Sequence, residues 1–204
     1  MIKYIANSLT RNFIENNILN EENKDVCVYG LEIGISTLTS IFCVLLVSFF
    51  RNELLGGLIY LLFYCSLRTF AGGYHAKTHR SCILTFLFLY IGVMLFSRWS
   101  IFSHTGGVSV MLFTHIAVVF LLKTVDAINN PFSKGGRKKL HRISCFIIVI
   151  HSILIVSMLR WENFLHIGIY ALLGDFVCCV LVVVGFIEKK IIQRRQIDES
   201  KISQ

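Results

Sequence analysis

Between residues 68 and 82 the chain reads Arg68-Thr-Phe-Ala-Gly-Gly-Tyr-His75-Ala-Lys-Thr-His79-Arg-Ser-Cys82. A thiol and an imidazole at the edge of an apolar region are the minimum kit for nucleophilic catalysis: the thiolate attacks and the imidazole moves the proton. His75 lies seven residues before Cys82. On one continuous helix that is about 10 Å of rise, too far for a hydrogen bond. The chain must therefore bend between them, and Gly72-Gly73 can end the preceding helix in a left-handed turn. His75 then hangs from the end of one helix and Cys82 from the start of its antiparallel neighbour. Packed helices sit about 8–10 Å apart, so inward side chains can meet. The free N–H groups at a helix start also favour negative charge beside Cys82.

Other chemistries fit the same residues. His79, three positions before Cys82, could serve as the base, because i and i+3 meet on a helix. His75, His79 and Cys82 also follow a His-x3-His-x2-Cys spacing that could hold zinc. Against that, Ala76 stands where a His-Glu-x-x-His zinc protease has its glutamate, and no fourth ligand is evident. No metal or cofactor is expected. A third reading is a plain basic turn in which Cys82 only packs. From the residues alone all of these stay open.

The elements that must hold this segment are apolar. Of 204 residues, 55% are hydrophobic and 16% charged, with one proline, where a soluble domain would carry about 25% charged residues. The apolar residues run in long blocks, which predicts a single all-α integral membrane domain over 1–204, with no room for a separate soluble one. The net charge of +8 suits a cytoplasmic membrane face better than nucleic acid, and no nucleic-acid partner is expected. Seven cysteines without a CxxC pair argue against a disulfide framework. Residues 1–20 open on polar side chains, unlike a cleaved signal peptide. Ile2, Ile5, Leu9 and Phe13 recur at helical spacing there, predicting an amphipathic helix at the membrane interface, or one packed on the protein's cytoplasmic face.

After a charged connector at Asn20–Asp25, six blocks follow, at about 30–50, 54–71, 82–97, 107–122, 143–159 and 164–187. A span needs about 20 residues, so the third and fourth are short enough to be tilted or re-entrant. With the N-terminus inside, the three external connections hold one arginine apiece, Arg51, Arg98 and Arg160, and every other Lys and Arg falls on the cytoplasmic side. The positive-inside rule therefore places both termini and the 68–82 segment in the cytoplasm. The stretch from Lys123 to Arg142 reads as a cationic loop punctuated by Asn130-Pro131 and Gly135-Gly136. It would face anionic lipids or dock an acidic peptide.

His115, His151 and Asp175 fall near the middle of the last three blocks. Ionisable groups at that depth need partners, and His151 with Asp175 is the expected structural pair across adjacent antiparallel helices. The alternative function they support is a small polytopic transporter or channel. Glu32, near the cytoplasmic end of the first span, needs only to reach the interface.

Arg68-x-x-x-Gly72-Gly73-Tyr74-His75-Ala76 followed by Cys82 resembles the motif of the accessory gene regulator B (AgrB) family, membrane-embedded cysteine endopeptidases of Gram-positive bacteria. Tyr29-Gly30-x-Glu32 and Asp126 with Asn130-Pro131 add weaker matches, so the resemblance runs over nearly the whole chain. It implies a multi-pass protein of the bacterial cell membrane, acting on the cytoplasmic side on an AgrD-like signal propeptide. Cys82 would be the nucleophile and His75, rather than His79, the base, with Arg68 and Gly73 needed for activity and Gly72 supporting the turn. The C-terminal tail of the propeptide would leave as a thioester forms on Cys82. A side chain of the same peptide would then close a thiolactone or lactone ring for quorum sensing. Beyond the family's dyad, Asp126 could orient His75 or merely cap a turn. Arg68 could bind the propeptide's carboxylates or a backbone carbonyl, or snorkel to headgroups. Membrane lipids are the other expected partner, and a homodimer the expected assembly.

Overall fold

The computed structural model of the protein describes residues 2–74, 78–98, 105–122, 124 and 134–202. Among them the regular structure is helical: α1 (Ile2–Glu15), α2 (Lys24–Phe50), α3 (Leu54–Ala71), α4 (His79–Phe96), α5 (Thr105–Leu121), α6 (Lys134–Leu159) and α7 (Leu165–Ile202). Single 3-10 turns precede α2 and α7. Five helices, α2, α3, α4, α6 and α7, are long and apolar enough to cross a membrane. At 17 residues α5 is apolar but shorter.

Local chemistry sets the stops. Asn17 and Asn52 take positive φ, 58° and 55°. Behind them Ile18 N–H bonds Phe13 O at 2.9 Å and Glu53 N–H bonds Ser48 O at 2.9 Å, the Schellman way of closing a helix. The first of these stops ends α1 at Glu15, short of the 1–20 predicted. Its packed face is narrower than the periodicity suggests. Ala6 and Thr10 are buried on α2, while Ile5 and Leu9 stay partly exposed.

The helices outrun the apolar blocks at three points. α2 starts at Lys24, α6 starts at Lys134 rather than near 143, and α7 continues to Ile202 rather than stopping near 187. The second is a correction, since Lys134–Arg142 is helix and its Gly135-Gly136 lies in the first turn. Arg137-Lys138-Lys139-Leu140 are good helix formers, and a glycine pair at a helix end costs little of the interior packing. The rest of the expected loop lies outside the described residues, apart from Thr124.

α7 is the spine, packed against α3, α6 and α5. From Ile169 to Val182 most of its side chains are buried. α3 runs in step with it: Tyr170 lies against Gly56, Gly174 against Tyr60, and Leu181 against Gly73. α6 runs antiparallel to α7, with Met158 and Leu159 against Gly168 and His151 beside Asp175. The pair predicted at mid-depth is formed. His151 Nδ1 lies 2.9 Å from Asp175 Oδ1, and its Nε2 lies 3.2 Å from Ser66 Oγ, tying α3, α6 and α7 together. His115 Nε2 is 3.3 Å from Ser152 Oγ, joining α5 to α6. At the far end Arg98 and the Tyr170 hydroxyl both donate to Glu53. α4 packs chiefly on α2. It is fastened there by Ser48 Oγ and Tyr90 OH at 2.7 Å, and to α3 by the contacting rings of Tyr60, Tyr64, Phe86 and Tyr90.

Candidate active site

α3 ends where the chain needs two consecutive residues at positive φ, Gly72 at 70° and Gly73 at 122°, a conformation that side-chain-bearing residues rarely take. This is the turn that the Gly72-Gly73 pair predicts. Three contacts hold it. Gly72 N–H returns to Arg68 O at 3.1 Å, closing the helix. The Arg68 guanidinium donates to the carbonyls of Gly72 and Tyr74. Tyr74 N–H donates to Leu181 O of α7 at 2.8 Å. Arg68 thus grips backbone carbonyls of its own chain.

The turn lies directly on α7. A Cβ on Gly73 would come within 2.9 Å of Leu181 O, and one on Gly185 within 2.7 Å of the Gly73 carbonyl carbon. Two bare backbones therefore face each other, with no room for a methyl group on either side. Gly185 is a part of the site that motif reading missed. The only signal it gives in sequence is a lone glycine in the Leu181–Ile187 run.

Across the connector, Thr78 caps α4: its Oγ1 accepts from Ser81 N–H at 3.2 Å, the expected N-cap arrangement. Cys82 is half-buried one turn in, with its own N–H bonded to Thr78 O at 3.0 Å. It therefore sits inside the helix rather than among the free N–H groups of the start, though still at the positive end of the helix dipole. Arg68 lies within electrostatic range of the Cys82 thiol. His75 and Asp126 lie outside the described residues.

The first residue of α4, His79, is engaged elsewhere. Its Nε2 is 3.1 Å from Glu32 Oε2 on α2, and the Glu32 side chain is only 14% exposed. Glu32 is therefore more than an interfacial carboxylate: it links α2 to the first turn of the helix that carries Cys82. Among the described residues no three His, Cys, Asp or Glu side chains converge as a metal site would require. All seven cysteines are free thiols.

The family model described as accessory gene regulator B matches residues 2–184, which takes in the turn, Cys82 and the first half of α7, ending just before Gly185. The chain belongs to the accessory gene regulator B family. Relatives agree. An AgrB-like protein of Clostridium perfringens (strain SM101 / Type A) is 27% identical over 187 residues, 84% of this chain and 86% of that one. One of Clostridium beijerinckii is 27% identical over 172 residues, 83% and 85% of the two chains. A second from C. perfringens (strain 13 / Type A), AgrB-like protein 2, is 29% identical over 125 residues. No solved structure matches. Membership of the AgrB family places the chain in accessory gene regulation, the setting of quorum sensing, and its long apolar helices are those of a multi-pass membrane protein.

Proposed function

We propose that the protein is a membrane cysteine endopeptidase that cuts the C-terminal tail from a signal propeptide and drives its macrocyclisation. The observation that carries this reading is the clamped turn. Arg68, Gly72, Gly73 and the Leu181 carbonyl fix the backbone up to Tyr74, the residue directly before His75. Cys82 stands one turn into the next helix at the same end of the bundle. That is the arrangement in which an imidazole and a thiol seven residues apart can cooperate.

In this mechanism His75 removes the Cys82 proton as sulfur attacks the scissile carbonyl. The tetrahedral intermediate collapses, the tail leaves as an amine that takes the proton from His75, and a thioester remains on Cys82. A thiol or hydroxyl of the same peptide attacks that thioester, and the returning proton restores the Cys82 thiol. The product is a thiolactone or lactone ring. In this reading both termini and the Cys82 end of the bundle face the cytoplasm, which the distribution of Lys and Arg supports, and a membrane-associated propeptide is within reach there. Asp126 is the third group in this reading, orienting His75.

A transporter would instead use the mid-depth groups, yet His151 is bonded to both Asp175 and Ser66 as a tie between helices. The deciding experiment mixes the purified protein in liposomes with its propeptide. Wild type releases the tail and can be trapped as a thioester on Cys82, whereas Cys82→Ala does neither. Tail release by Cys82→Ala would end the proposal.

A further inference from the structure

α4 packs chiefly on α2 and meets α3 through its rings, while α5 packs on α6 and α7. Between α4 and α5 runs a groove of about 750 Å³. Thr85, Leu89 and Gly92 of α4 face Met111 of α5 across a floor that includes Val177 and Val180 of α7. Thr85 is the one hydroxyl in an otherwise apolar lining. Leu84 and Phe88 on its rim are 62% and 80% exposed. Gly92 is open: a Cβ there would meet nothing within 4 Å.

The register of α4 connects this groove to the candidate active site. Cys82, Thr85, Leu89, Gly92 and Phe96 follow one another at intervals of three and four, a single stripe along one helix face. The four after Cys82 line the groove, so the thiol stands at its end. At the floor, Val180 adjoins Leu181, whose carbonyl holds Tyr74.

We propose that the α4–α5 groove receives one face of an apolar peptide helix belonging to the substrate, the segment that precedes the bond cut at Cys82. This rests on the function proposed above and adds the substrate's recognition element to it. The lining offers almost no hydrogen-bond partner, so a peptide there must satisfy its own backbone, as a helix does. It must also carry no charge on the buried face. Size gives the depth of insertion. The lining runs from Leu84 to Phe96, about 18 Å of helix rise. The volume spread over that length gives a section of about 40 Å², roughly half that of a helix about 10 Å across. The occupant therefore embeds one face and leaves the other to lipid, the helix-in-groove mode of recognition. A lipid chain or a second copy of the protein would fill an apolar groove without any need for its stripe to end on a cysteine.

The test uses full-length Cys82→Ala protein in phosphatidylcholine liposomes, with a leucine–alanine helical peptide carrying a photoreactive benzoylphenylalanine as probe. The expected result is crosslinking to α4 and α5 at Thr85, Leu89 and Met111. Gly92→Phe should lower it by about tenfold, because overfilling the groove excludes the peptide. A phenylalanine is also a better helix residue than glycine, so the fold is kept. Leu95→Phe, on the exposed face of the same helix, should leave labelling unchanged. Crosslinking that ignores Gly92→Phe would overturn the proposal. So would a photoreactive phospholipid that labels the groove and is not displaced by the peptide, or crosslinks running between two copies of the protein. Peptide labelling is read without cleavage, so failure of the groove and failure of the endopeptidase reading are separate results.

Discussion

Arg68 directs its guanidinium at two carbonyls of its own chain, Gly72 O and Tyr74 O. Gly185 completes the same clamp from α7 by having no side chain. These two residues divide the work: one pulls the turn together and the other lets it lie flat. A methyl group at Gly185 would stand 2.7 Å from the Gly73 carbonyl carbon, and its other near contacts are also backbone, which cannot swing aside. Gly185→Ala should therefore lift the 72–74 turn off α7 and, in the proposed mechanism, shift the backbone that leads into the catalytic base. Misplacement on the ångström scale costs about a hundredfold in rate. α7 itself should gain slightly, since alanine is the better helix residue. The check is tail release per minute beside the thermal midpoint in detergent. A variant that kept its full rate would show that the contact between turn and α7 does not position the site. Arg68, Gly72, Gly73 and Cys82 were legible in sequence because they sit within one short segment. Gly185 and the Glu32–His79 link were not, because each joins positions far apart in the chain and neither residue type announces its partner.

Among the elements, hydropathy located every long apolar helix but misjudged where three of them begin or end. It reports where a helix lies in apolar surroundings and says nothing of helix that continues into water, as α6 does at Lys134–Arg142 and α7 beyond Ile187. The asparagine stops of α1 and α2 were equally silent, because only positive φ distinguishes them from ordinary polar residues. The second of these stops delivers Glu53 to the end of the bundle away from Cys82, where it joins the α2–α3 connection to Arg98 after α4 and Tyr170 in α7. Burial works to raise the Glu53 carboxyl. The hydrogen bonds from Arg98 and Tyr170, with the nearby His166 and Arg98 charges, outweigh it and hold the group below its ordinary value of 4.5. A carboxyl whose folded pKa is depressed stabilises the fold above its unfolded pKa, and the contribution is lost as pH falls through the folded value. Glu53→Gln should thus lower the thermal midpoint by a few degrees at neutral pH. The gap to wild type should close as the medium is acidified below the ordinary carboxylate range. Melting curves in detergent across that range measure it, and a gap that stayed constant into acid would mean the carboxylate's charge is not what holds these three elements.

At the scale of the whole molecule the helices alternate. Glu53, Arg98 and Tyr170 meet at one end of the bundle, while the 72–74 turn meets Gly185 at the other, the end from which α4 starts. His151, Asp175 and Ser66 lie between. Charge divides the same way. Among the described residues, apart from Arg51, Arg98 and Arg160, every Lys and Arg belongs to the N-terminal helix or to helix ends on the Cys82 side. Alternation requires α5 to traverse the bundle as its neighbours do, although at 17 residues it is the shortest of the set after α1. A helix of that length spans only about 26 Å, a little less than the hydrocarbon core, a deficit that local thinning of the bilayer or packing on α7 can absorb. Side-specific labelling decides whether the alternation is also the membrane topology. In a cysteine-free background in sealed right-side-out vesicles, Asn52→Cys should react with an impermeant maleimide from outside. Gln193→Cys, on the exposed extension of α7, should react only after the vesicles are opened. Both positions reacting from the same side would require an even number of crossings between them, leaving α5 or another helix short of the far surface and ending the alternation as a membrane topology.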